Sequence, residues 1–114
     1  MKYMLLIYSA GAPDEFEKLS EEEQNAVLGE YFAISQAAGV TGGDQLQPGD
    51  TATTVRVADG HTLTTDGPFA ETKEVLGGYY LLEADDIDKA LEIAARIPAA
   101  RMGGAVEVRP LVEH

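Results

Sequence analysis

The sequence predicts an α+β domain: a ferredoxin-like split βαβ antiparallel sheet with two helices on one face and an inserted hairpin, paired with a second copy as a dimeric α+β barrel. Three observations lead there. Two helix-start signals, at Ser20 and at Asp85-Asp86, alternate with short β-type runs. The dipeptide Asp59-Gly60 separates two β-branched runs and is the strongest hairpin signal in the chain. Two runs, residues 3–8 and 78–82, are apolar on both faces, which two helices on one side of a sheet cannot cover.

Taken in order, KYMLLIYS at residues 2–9 is a continuous apolar run too short for a free helix, so it reads as a central strand. A Gly/Pro/Asp loop follows. Ser20-Glu21-Glu22-Glu23 then forms a capping box: the Ser20 hydroxyl accepts the Glu23 amide while the Glu23 carboxylate reaches back. The helix it opens places Val27, Leu28, Tyr31, Phe32, Ile34 and Ala38 on one side, with Gly39 as its C′ residue. The acidic run Glu21 to Glu23 suits the positive end of the helix dipole better than it suits a metal. Residues 40–46 form a weaker strand, turned by Pro48-Gly49-Asp50.

Within residues 51–65, placing Asp59 and Gly60 at the turn pairs Ala58 with His61, Val57 with Thr62, Val55 with Thr64 and Thr53 with Asp66. Asp66 then shares a face with Val55 and Val57, and Arg56 points the other way. Residues 76–84 make a strand with Tyr79 and Leu81 on one face and Tyr80 and Leu82 on the other. Asp85 or Asp86 caps a second helix with Ile87, Ala90, Leu91, Ala94 and Ile97 as its buried stripe, stopped by Pro98. Residues 106–112, interrupted by Pro110, close the series as an edge strand.

With 114 residues there is room for one domain, 1–114. Cysteine is absent, which excludes disulfides, thiolate metal sites and a thiol nucleophile. Twenty acidic residues against eight basic ones give a net charge of −12, so nucleic acid is a poor partner. No run approaches the roughly 20 apolar residues of a membrane span, and the N-terminus lacks a secretory pattern, so the expected location is cytoplasmic. No metal or cofactor is expected: ligand spacing for a metal, an axial haem ligand and a nucleotide fingerprint are all missing. The open faces call for a homodimer.

Chemistry concentrates in TDGPFAETKEVLGGYYLLE, residues 65–83. Asp66 is either a carboxylate in a low-polarity cleft, suited to acid/base work, or a turn residue binding the amides of Gly67-Pro68-Phe69, the latter favoured. Glu71 and Lys73 read as a solvated pair or as groups delivered to a pocket mouth to hold a polar ligand. Tyr79 or Tyr80 must lie on the helix-free face, where a phenol can reach a cleft together with Tyr8; a packed tyrosine is the plainer role. Arg56 is a carboxylate or phosphate binder if it points inward. The candidates for catalysis are thus Asp66, Glu71 and Tyr79; those for ligand binding are Arg56, Lys73, Tyr8 and Tyr80.

This stretch, with MKYMLLIYS before it, TATTVRVADG in the middle and ARIPAARMGGAVEVRP after it, closely resembles the DGPF-type branch of the YCII-related proteins over essentially the whole chain. The resemblance implies a dimeric α+β barrel and no settled activity. It also implies a regulatory setting, because DGPF-type proteins are often encoded beside extracytoplasmic-function sigma factors or fused to them. The broader group includes proteins with a histidine on the first helix paired with an aspartate. That helix has no histidine here, since the chain's two are His61 and His114, so the histidine mechanism does not carry over. Two readings follow: a binding or regulatory module with a small-molecule pocket and a possible sigma-factor partner, or a cofactor-independent lyase, isomerase or hydrolase using Asp66 with Glu71 or a tyrosine.

Overall fold

A computed structural model describes residues 1–10, 15–69 and 74–114. Its central element is β1 (Lys2–Ser9), paired antiparallel with β5 (Val75–Glu83) on one side and β6 (Ala105–Pro110) on the other. Outside β5 runs β2 (Val40–Gln45), giving the sheet order β2-β5-β1-β6. That order, with one helix after β1 and one after β5, is the split βαβ arrangement. Pro110 sits at the end of edge strand β6, where its missing N–H costs no ladder bond, and Leu111 resumes with a bond to the Lys2 carbonyl at 2.8 Å.

Helix α1 (Glu21–Ser35) starts at the capping box: the Glu23 amide donates to Ser20 Oγ at 3.1 Å and the Ser20 amide to Glu23 Oε1 at 3.2 Å. It ends earlier than the glycine signal implies. From Gln36 the chain tightens into i to i−3 bonds, Gln36 to Ala33 and Ala37 to Ile34, so Ala38 lies outside the helix. Gly39, with φ of 90°, serves instead to bring the chain against β5, where its carbonyl accepts the Glu83 amide at 2.7 Å. Helix α2 (Ile87–Ala95) is capped by Asp86, whose carboxylate accepts the Lys89 amide at 3.0 Å.

Both helices lie on one face of the sheet. Tyr3 and Leu5 of β1, Tyr80 and Leu82 of β5, Ile34 of α1, and Ala90, Ala94 and Ile97 around α2 form the buried core. The stripes read from the sequence are only half covered: Val27 and Ile34 are buried, whereas Leu28 and Phe32 are exposed, as are Ile87 and Leu91. A one-residue step turns a helical side chain by about 100°, which swings Leu28 and Phe32 away from the buried side of α1.

The hairpin of β3 (Thr53–Ala58) and β4 (His61–Asp66) has the expected register throughout, from Ala58 with His61 to Thr53 with Asp66. Asp59 and Gly60 both have positive φ, 50° and 77°, as a type I′ turn requires. The two strands form a sheet of their own and stand out as an arm. Accordingly the radius of gyration is 15.9 Å, against about 13 Å for a compact chain of this length. Among the described residues no helix is long and apolar enough to cross a membrane.

Candidate functional site

Along the helix-facing side of β5, Leu82 and Tyr80 fill the space under the helices, but the next position in the row is Gly78. A Cβ there would lie 3.0 Å from the Asp44 carbonyl oxygen, so glycine lets β2 approach β5 closely. The sheet continues beneath the first half of α1 with Ile7 and Ser9 of β1, Val75 of β5 and the end of β2, and a cavity of about 770 Å³ opens between them. Ile7, Phe16, Val27 and Tyr31 make its apolar wall; Leu28, Phe32 and Leu46 stand at the rim; Ser9, Gln45 and Gln47 supply neutral polar groups. Gly43 allows β2 to close against β5: with φ of 141°, a side chain there would drive into the Tyr79 carbonyl.

Tyr80 is the hinge pin between this cavity and the core. Its hydroxyl donates to the Tyr31 carbonyl at 2.8 Å, tying β5 to α1. Burial pushes its pKa up from the ordinary 10.0, with Tyr31 adding to the rise. Of the two tyrosines, Tyr80 is the one that faces the helices: it lines the cavity, and its hydroxyl is engaged by the α1 backbone.

Tyr79 and Tyr8 take the opposite face. The register sets Tyr79 beside Leu6 and Asp44, and Tyr8 beside Leu76 and Ala105, in a half-buried row with Met4 and Leu81. A bulge at Gly77 makes this possible, because it lets Leu76 pair with Tyr8 directly after Gly78 has paired with Ile7. At the β6 edge of that face Glu107 accepts from Arg109 Nε at 2.9 Å; this bond and the carboxylate charge raise the Arg109 pKa, with a smaller contribution from Tyr8.

The remaining candidates are scattered. Asp66 is exposed at the end of β4, does not line the cavity, and accepts no loop amide among the described residues. Gly67 instead donates its amide to the Ala52 carbonyl at 2.7 Å and takes up φ of 102°, while its own carbonyl accepts the Thr54 hydroxyl. Arg56 is on the arm, its guanidinium 4.9 Å from the Phe69 ring centroid, a cation–π stack rather than an inward anion binder. Glu71 and Lys73 lie outside the described residues. Among the described residues no three acids or histidines are grouped to hold a metal.

Sequence reasoning missed the cavity wall of α1. The signal was present in the pair Leu28 and Phe32, four residues apart on one side of α1, and in Gly78 interrupting an otherwise bulky row.

Three likenesses to known proteins accompany this geometry. The model of the YCII-related domain matches residues 1–114. An uncharacterised protein of Rhizobium meliloti (strain 1021) is 40% identical over 118 residues, covering 97% of this chain and 92% of its own. Among solved structures, 5-chloro-2-hydroxyhydroquinone dehydrochlorinase from Burkholderia phenoliruptrix AC1100, in complex with 2,5-dihydroxybenzoquinone, aligns with a TM-score of 0.49 at 15% identity, covering 100% of this chain and 96% of that one.

Proposed function

We propose, from the premise that this chain belongs to the YCII-related family, that it is a dimeric small-molecule-binding module whose ligand occupies the cavity under α1. The observation that carries the reading is the cavity itself: about 770 Å³, within the range of roughly 300–1,000 Å³ usual for ligand sites, mainly apolar and with a few polar groups at its rim. It adjoins the DGPF turn, since a Cβ at rim residue Gly49 would lie 3.8 Å from Pro68 Cγ. The dimer is supported by the uncovered sheet face with its row of Met4, Leu6, Tyr8, Tyr79 and Leu81. A regulatory role with an extracytoplasmic-function sigma factor as partner enters through the family likeness. The acid/base reading is less favoured because Asp66, its central residue, stands on the arm and outside the cavity lining.

A neutral environment-sensitive dye, Nile red, tests the cavity. Wild type is expected to bind it saturably with a rise in fluorescence. Val27→Phe, which fills the wall, and Leu28→Asp, which makes the rim polar without touching the core, should each weaken binding about tenfold or more, with circular dichroism unchanged. Equal binding by wild type and both variants would move the ligand site elsewhere.

A further inference from the structure

Among the described residues, nothing of the same chain covers the arm of β3 and β4. All its residues but Thr54 are exposed, Val55 at 59%, Val57 at 71% and Leu63 at 50%, and Phe69 just beyond it reaches 74%. Val55 and Val57 share one face; Arg56 and Leu63 share the other, where the guanidinium stacks on Phe69. A two-stranded ribbon is marginal in water by itself, and one with apolar side chains on both faces is an aggregation hazard unless something packs on it.

A dimer made through the sheets alone is short of area. Strands of six to nine residues at about 3.4 Å per residue, about 4.8 Å apart across four strands, give the open face a footprint on the order of 500 Å². Stable interfaces bury about 800 Å² on each partner. The arm adds on the order of 200 Å² on each face of its two strands, and in a two-fold assembly each copy both gives an arm and receives one. Charge also demands it. Each copy carries −12, so association brings like charges together and needs apolar contact to offset them. The arm supplies that contact together with Arg56, one of only eight basic residues, as a complement to exposed carboxylates such as Asp44 at the β2 margin of the open face.

We infer that the arm is an intersubunit clasp: its occupant is a second copy of this chain, against which Val55, Val57, Leu63 and Phe69 pack. This rests on the dimer reading above but goes further, because sheet stacking leaves the arm free in solvent whereas the clasp makes the interface depend on it.

Sedimentation velocity across a concentration series tests the clasp on wild type, on Val55→Lys/Val57→Lys, and on a chain in which residues 54–65 are replaced by Gly-Gly, with circular dichroism as the fold control. Among the described residues the arm's strands pair only with each other, so the core should persist in both variants. The expected result is a wild-type dimer with dissociation weakened about 30-fold or more in each variant. A wild-type dimer that both variants match in affinity overturns the clasp and leaves the sheet-face dimer standing. A monomeric wild type overturns both, and the arm then belongs to a different protein partner or to its own cavity. If the double-lysine variant alone loses its fold, the deletion variant decides between these results.

Discussion

Adjacent tyrosines in β5 have opposite fates. Tyr79 and Tyr80 alternate as any strand residues must, so the sequence shows that they face opposite ways; it does not show which way is toward the helices, because that depends on the side to which the chain crosses over after β1. The structure gives Tyr80 to the helices and uses its hydroxyl to hold the Tyr31 carbonyl. Tyr80→Phe should cost about 1 kcal/mol in urea unfolding near pH 8, the usual net worth of such a bond. The pH dependence has a definite sign. Because burial raises the Tyr80 pKa above 10.0 in the folded chain, its contribution is fully present below about pH 10 and is lost as pH climbs through the raised value. Wild type should therefore lose stability more steeply than Tyr80→Phe as pH rises above about 10, and parallel curves would show that the phenol is not the group responsible. Asp66 makes the complementary point: Asp-Gly-Pro marks a turn in sequence, yet the bonds that shape this one come from the Gly67 backbone and Thr54, which no side-chain inventory reveals.

Elements were legible to the degree that their determinants are local. The hairpin register followed pair by pair from Asp59-Gly60, since a two-residue I′ turn leaves no freedom of alignment, and the two helix starts followed from Ser20 and the Asp85-Asp86 pair. The end of α1 did not, because Gly39 answers to a contact with Glu83 far along the chain rather than to the helix. Burial of the helix stripes was half legible for the same reason: Leu28 and Phe32 have the spacing of core residues, but what lies beneath them is decided by Gly78 on another element. The arm's separation from the core implies a difference in dynamics. In hydrogen exchange, amides of β3 and β4 should exchange at least about a hundredfold faster than those of β1, which is bonded on both sides; at concentrations where the dimer forms, the gap should narrow. An arm as protected as β1 at high dilution would mean that it packs on its own chain.

At the scale of the whole molecule the sheet order was readable from the alternation of helices and strands, and the uncovered face from two runs that are apolar on both sides. The cavity was not readable, because its walls come from α1, β1, β2 and β5, which meet only in the folded chain. Acidic charge gives a test of the proposed assembly: with −12 on each copy, raising salt from about 0.05 to 0.5 M should tighten the proposed dimer several-fold by screening repulsion, measured as a falling dissociation constant in sedimentation. Weakening with salt would instead identify ion pairs as the main attraction. The row Leu82, Tyr80, Gly78 has one more consequence. Going along β5, one end of the sandwich is packed solid and the other is hollow, so the side chains that secure folding and those that would select a ligand occupy different lengths of the same strands. Specificity can then drift by substitutions at the hollow end, such as Val75 or Ser9, while the packed end keeps the fold above its threshold. A family built on this plan can diversify its ligands without rebuilding its scaffold.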